Sequence, residues 1–147
     1  MGSYEIVKEF KKKYPFCLSW RIKSHSKILD KFLNPDEKIV YAFVGQKNEH
    51  SIDLFTTSIV ALTTRRMLIV RKRLLWGYFV NSITPDLFND LTINKGLIWG
   101  KIIIDTVKEE VRISNIQSKA LDEIETQIST FMMEEKKKYV KMVPKRD

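Results

Sequence analysis

Cysteine and histidine are scarce in this sequence. Its 147 residues include one cysteine, Cys17, and two histidines, His25 and His50. A single cysteine cannot form an internal disulfide, which agrees with a reducing compartment such as the cytoplasm. Zinc sites use closely spaced Cys and His pairs, and neither a C-x-x-C nor an H-x-x-x-H spacing occurs here. We therefore expect no metal and no cofactor; His25 fits the apolar stripe of a predicted helix, and His50 fits a loop.

Long hydrophobic runs are also missing. The longest uncharged segments are residues 54–64 and 74–85, whereas a membrane-spanning helix needs about 20 apolar residues. Residues 1–8 contain no apolar core of the signal-peptide type. We expect a chain that stays in the cytoplasm, with contact to the inner face of the membrane as an alternative.

Catalytic patterns are absent as well. No G-x-S-x-G elbow accompanies the serines and threonines. Asp86 and Asp90 stand four residues apart, but Pro85 and the β-like flanks favour a turn followed by a strand. Acid–base catalysis needs two carboxyl groups in contrasting environments, and nothing in the sequence indicates them. We predict that the chain is not an enzyme and has no small-molecule substrate.

Basic residues are present in excess. The net charge is +8 and the isoelectric point about 9.5, which favours anionic partners. Residues 1–33 hold eight basic and three acidic residues, so much of the excess is N-terminal.

The periodicity of the chain predicts helices at both ends and β-strands between them. Apolar residues have helical spacing in two segments near the N-terminus, residues 4–13 and residues 19–33. Ser3 is expected to cap the first helix, and Asn34-Pro35 to end the second. Residues 58–73 alternate as two paired strands about a turn at Thr64-Arg65. Further β segments are predicted at residues 39–44, 74–83, 88–94, 98–107 and 111–116. The spacing of apolar residues in residues 117–138 predicts a helix with one apolar stripe: Leu121, Ile124, Ile128, Phe131 and Met132.

Four short motifs and the terminal helix carry a resemblance to a known family. The motifs are Leu33-Asn34-Pro35-Asp36-Glu37, Leu62-Thr63-Thr64-Arg65-Arg66-Met67-Leu68-Ile69, Ile83-Thr84-Pro85-Asp86-Leu87 and Lys95-Gly96-Leu97-Ile98-Trp99-Gly100-Lys101-Ile102. In this order, over about residues 33–135, the chain resembles the bacterial PH (pleckstrin homology-like) domain family typified by YokE-like proteins.

The resemblance implies an α+β, mainly β, fold. We expect a PH-like barrel of about seven antiparallel strands, capped by a C-terminal α-helix, with two N-terminal helices. The domains would be a helical extension at 1–33, the PH-like domain at 34–138 and a frayed basic tail at 139–147.

The same resemblance implies a non-catalytic binding module. Bacterial members associate with their own copies through sheet edges, so a protein partner or a second copy is expected. The candidate interaction surface is Trp76, Tyr78 and Trp99. Phosphoinositide-binding PH domains carry a basic first loop, but here Lys47 stands beside Glu49 and Asp53, which argues against such a pocket.

Two groups of basic residues are candidates for contact with an anion or a lipid. They are Arg65, Arg66, Arg71, Lys72 and Arg73 on the central hairpin, and Lys11, Lys12 and Lys13 on the first helix. A strand of eight residues is about 26 Å long, so the two ends of the hairpin cannot form one pocket. The alternative is that these are solvated charges at strand ends, which discourage aggregation.

The first helix could lie in a membrane interface. Its apolar side consists of Ile6, Val7 and Phe10, opposite the lysines. We favour the alternative, in which this side packs on the barrel or on a second copy.

Nucleic acid is the remaining partner that a basic protein suggests. Trp76, Tyr78 and Phe79 follow basic residues, as in single-strand binders. Neighbouring residues of a strand point to opposite faces, so at most two of these rings share a side. Without a nucleic-acid-binding motif, we do not expect this partner.

Overall fold

The computed structural model describes residues 2–17, 19, 21–46, 57–72 and 77–142, the last four as backbone only. The elements are α1 (Ser3–Lys13), α2 (Ile22–Phe32), β1 (Ile39–Gln46), β2 (Thr57–Thr63), β3 (Met67–Lys72), β4 (Tyr78–Ile83), a 3-10 turn (Pro85–Leu87), β5 (Phe88–Asn94), β6 (Trp99–Thr106), β7 (Glu110–Gln117) and α3 (Ser118–Met142). The first loop, with Lys47 and His50, lies outside the described residues, as do Arg73 and Trp76.

The seven strands are antiparallel and follow the order β4-β3-β2-β1-β7-β6-β5. β1 and β7 pair at one position, Gln46 with Ser114, so the sheet turns a corner there and becomes a curled half-barrel. The predicted architecture of mainly β structure, a C-terminal helix and two N-terminal helices is confirmed.

Helix α3 packs against one side of this half-barrel. Leu121, Ile124 and Ile128 are fully buried, and the helix packs against β5, β6 and β7. Spacings of three and four residues place these side chains on one face, which removes the stripe from water. The predicted stripe is therefore confirmed, while the helix extends to Met142 instead of ending at residue 138.

The N-terminal helices pack on the first three strands of the sheet. α1 packs on β1 and on α2, and α2 packs on β2 and β3. All seven residues of β2 are consequently buried, on both faces of the strand. Val7 and Phe10 lie in the same core as the strands, so the apolar side of α1 packs on the barrel, as favoured above.

The starts of both N-terminal helices differ from the predictions. Ser3 does not cap α1; Gly2 occupies that position, and the Ser3 hydroxyl donates to the Ser26 carbonyl (2.9 Å), tying α1 to α2. α2 begins at Ile22 instead of residue 19, because Arg21 has φ 56°, a left-handed conformation that a right-handed helix cannot include.

β6 begins one residue later than the predicted segment 98–107, so Ile98 is not part of the strand. It lies before the strand, which begins at Trp99, and about half of its surface is exposed. The pairing jumps from Gly100–Ile116 to Ile102–Ile113, which leaves an extra residue on β7. Asn115 has φ 56° there. This β-bulge shifts the register of β7 against β6.

Candidate binding surfaces

Arg66 and Glu37 form a buried ion pair where α2 meets the β2–β3 turn. The Glu37 carboxylate accepts hydrogen bonds from Arg66 Nε (3.0 Å), Thr63 Oγ1 (2.6 Å) and the Asn34 amide (3.1 Å). Arg66 Nη2 also donates to the Phe32 carbonyl at the end of α2 (2.8 Å). The pair therefore fastens the end of α2 to the hairpin.

The electrostatics of Glu37 follow from these contacts. Burial alone would raise the pKa of its carboxyl, but the hydrogen bonds from Arg66, Thr63 and Asn34 favour the ionised form and lower the pKa to about 2. The guanidinium of Arg66 is thus engaged inside the fold. Arg65 is exposed and pairs with Asp36. Contact of either arginine with an anion stays a prediction.

The other end of the hairpin carries Arg71 and Lys72. Arg71 lies opposite Phe79 in the ladder, and its guanidinium carbon is 4.6 Å from the centre of that ring. Lys72 lies opposite Tyr78. The two basic groups of the hairpin are at opposite ends of β3, as the strand length predicted.

The three lysines at the end of α1 have different surroundings. Lys11 Nζ donates to the carbonyls of Pro15 (2.9 Å) and Cys17, and burial lowers the pKa of its ammonium group. Lys13 pairs with Glu123 of α3, and Lys12 is exposed. They do not form one surface patch.

Strand β4 is one end of the sheet and exposes two aromatic side chains. Tyr78 is 46% and Phe79 40% exposed. The Tyr78 ring contacts the Phe32 ring edge-on, with centroids 5.6 Å apart. Trp99, the other described aromatic residue of the predicted surface, lies on β6, far from β4 in the strand order.

A second exposed apolar area lies near the α1–α2 connection. Phe16 is 59%, Leu97 99% and Ile98 49% exposed. Trp99 is partly buried beside them, and its Nε1 donates to the Phe16 carbonyl (2.6 Å). We call Phe16, Leu97 and Ile98 the apolar tip.

Three further surface features are open to a ligand. A pocket of about 310 Å³ adjoins the apolar tip and is lined by Asn94, Lys95, Gly96, Trp99, Gly100, Lys101, Ser114 and Asn115. A groove of about 330 Å³ between α3 and the β1–β2 region has Leu62 and Phe131 in its lining and Glu134 and Glu135 among its polar groups. A slot of about 230 Å³ separates β4 from the β6–β7 turn and is bridged by Asn81 and Glu109 (3.0 Å).

The described residues contain neither a cluster of metal ligands nor a membrane-spanning helix. No group of three or more His, Cys, Asp or Glu side chains in that part of the chain could hold a metal ion. None of the described helices combines the length and the apolar character that crossing a bilayer requires.

Comparison with known proteins gives a family. A model of the bacterial PH domain matches residues 33–130, two thirds of the chain. The chain belongs to the bacterial PH domain family. PH domains are in general non-catalytic binding modules. No curated protein and no solved structure shows a significant match.

The family match covers the strands and about half of α3 in this bacterial PH domain. It leaves out α1 and α2 entirely, although both helices share the core with the barrel. The apolar tip therefore combines Phe16, outside the match, with Leu97 and Ile98, inside it.

Sequence reasoning missed the apolar tip and the engagement of Arg66. A signal for the first was available, since Leu97 and Ile98 directly follow the turn at Asn94-Lys95-Gly96. Apolar residues at a turn have no sheet face on which to pack. Nothing local indicated that Phe16 would join them.

Proposed function

We propose that this bacterial PH domain binds protein through the edge strand β4, by pairing with β4 of a second copy. The observation that carries the proposal is the chemistry of this strand. Its sequence, Tyr-Phe-Val-Asn-Ser-Ile, contains no charged residue, and β4 is a terminal strand of the sheet among the described residues.

An uncharged edge strand is suited to pairing. The outer edge of a terminal strand has backbone N–H and C=O groups that can bond to another strand, and proteins that avoid such pairing place charges there. β5, at the other end of the sheet, does carry an exposed charge, Asp90. Antiparallel pairing of two β4 strands would be self-complementary about a two-fold axis, the commonest arrangement of homodimers.

The aromatic side chains of β4 support the same contact. Phe32 supports Tyr78 from α2, and Arg71 lies over the face of Phe79. Both rings are therefore oriented before binding and still exposed. Exposed aromatic residues held in place give contact area with little loss of conformational entropy.

Size-exclusion chromatography with light scattering over a range of concentrations tests the proposal. We expect a dimer for the unchanged chain and a monomer for Tyr78→Lys and for Phe79→Lys, because a lysine on each β4 brings like charges together. Met133→Lys, at an exposed position of α3, is the matched control and should remain dimeric. A monomer at every concentration, or equal dissociation of the control, would disprove pairing through β4.

We further propose that the domain belongs to the YokE-like members of the family and acts in the bacterial cytoplasm. The order and spacing of the four sequence motifs support the first statement. The single cysteine, which is buried and unpaired, agrees with the second.

A further inference from the structure

The apolar tip is assembled from two connections that are distant in sequence. The Phe16 amide donates to Gln117 Oε1 (3.0 Å), and the Ser118 amide donates to the Ile98 carbonyl (2.8 Å). Gln117 and Ser118 are adjacent, at the junction of β7 and α3. Phe16, Leu97 and Ile98 are therefore brought to the same end of the molecule by contacts with that junction.

These side chains are exposed to an unusual extent for large apolar residues. Leu97 has 99% of its surface in water. It has almost no packing contact in the fold, so folding alone does not account for it. Trp99 beside it has its indole N–H bonded to the Phe16 carbonyl and its ring partly exposed. A tryptophan whose N–H is already hydrogen-bonded can place its apolar ring at the boundary between water and lipid.

Lysines lie in the segments next to the apolar tip. Lys12 precedes Phe16 by four residues, Lys119 follows Ser118, and both are exposed. Lys95 and Lys101 line the pocket next to the tip, together with the amide side chains of Asn94 and Asn115 and the hydroxyl of Ser114.

Two acidic residues near this end are engaged with lysines. Asp122 pairs with Lys95, and Glu123 pairs with Lys13. Lys12, Lys101 and Lys119 add three positive charges beyond these two pairs, so this end of the molecule is basic.

We propose that this end docks on an anionic membrane surface. Leu97, Ile98 and Phe16 enter the interface between head groups and acyl chains. Lys12, Lys101 and Lys119 face the negatively charged head groups, and the pocket with Lys95 and Lys101 is large enough to receive a phosphate group. Apolar burial and electrostatic attraction together determine the strength of such binding.

Two observations favour a membrane over the other occupants. A second copy of the same end would bring its lysines against these lysines, and the like charges would repel. A protein partner would have to supply a recess for Leu97, which protrudes, whereas lipid accepts a protruding side chain of any shape. The inference does not depend on dimerisation through β4.

Co-sedimentation with lipid vesicles tests the proposal. The full chain is mixed with vesicles of phosphatidylcholine alone, and with vesicles that also contain phosphatidylglycerol, at low and high salt. We expect binding to the anionic vesicles that weakens with salt and weak binding to the neutral ones. Leu97→Ser should lower the partition coefficient by about tenfold or more, as expected for a leucine that loses its burial.

Val107→Ser is the matched control. Val107 is also an exposed apolar residue in a turn, but it follows the opposite end of β6. We expect its partition to equal that of the unchanged chain. No binding to either vesicle, equal binding to neutral and anionic vesicles, or equal loss in both variants would overturn the proposal.

A labelled variant gives an independent measurement. Cys17 is buried, so Leu97→Cys can be labelled selectively with a dye that is sensitive to polarity. We expect a blue shift of its emission on anionic vesicles, and no shift for the same dye at Val107→Cys. A shift at both positions, or at neither, would contradict insertion of the apolar tip.

Discussion

Replacement of Glu37 by glutamine should be among the most damaging single changes to this fold. The substitution keeps the volume of the side chain but removes the negative charge of the carboxylate. That carboxylate accepts hydrogen bonds from Arg66, Thr63 and the Asn34 backbone amide. The Arg66 guanidinium then lacks its carboxylate. The side-chain NH2 group of the glutamine would also face hydrogen-bond donors, where the carboxylate had an acceptor.

The expected loss can be estimated from the geometry. Removing one partner of a buried ion pair costs about 3–5 kcal/mol. The Arg66 side chain keeps 20% of its surface in water, which places the expected cost near the lower limit, about 3 kcal/mol. That is a large part of the 5–15 kcal/mol by which domains of ordinary size are stable.

Urea unfolding followed by circular dichroism measures this loss. The control is Asp36→Asn, which removes the carboxylate of the exposed pair with Arg65 and should cost about 0–1 kcal/mol. Arg66→Met, alone and combined with Glu37→Gln, completes a double-mutant cycle. We expect the double variant to lose less stability than the two single losses added together. Equal costs for Glu37→Gln and Asp36→Asn would refute the argument.

The pH dependence provides a second measurement of the same pair. The pKa of Glu37 is about 2 in the folded state and has an ordinary value of 4.5. Because the folded-state pKa is the lower one, the stabilisation is complete above the ordinary value and is lost as the pH falls from about 5 towards 2. This part of the acid destabilisation should be absent from Glu37→Gln.

Three further predictions concern the core and the turns. Leu121→Ala should lower the free energy of unfolding by about 2–5 kcal/mol in urea, because the side chain is fully buried, while Met133→Ala should change it little. Gly100→Ala should cost about 1–3 kcal/mol, since a Cβ there would lie 2.4 Å from the Asn94 carbonyl oxygen. Burial lowers the pKa of His25 in the folded state, so stability should fall as the pH drops below about 6.5, and His25→Gln should remove that fall. A Leu121→Ala cost no larger than that of Met133→Ala, an unchanged midpoint for Gly100→Ala, or the same pH profile in His25→Gln would contradict these statements.

Local patterns made much of the fold predictable. Alternation identified β2 and β3, and helical spacing identified the stripe of α3 at Leu121, Ile124 and Ile128. These signals are reliable because burial of one face imposes its period directly on the chain. They fail at the ends of the elements, as at Ser3, at Arg21 and at Ile98, which precedes β6.

The surfaces were much less predictable than the elements. The position of Arg66 in a turn suggested an exposed cation. The structure shows that it forms an ion pair with Glu37, which comes from another segment of the chain. Lys11, Lys12 and Lys13 are consecutive, yet each has different surroundings.

The sequence by itself determined the order of helices and strands, the excess of positive charge and the family to which the domain belongs. The tertiary structure decided which charges are neutralised by partners and which apolar residues stay in water. Phe16 and Trp99 are 83 residues apart and still share a hydrogen bond. Such contacts depend on how α1 and α2 pack over the sheet and on where β1 and β7 form its corner, and no local period encodes either.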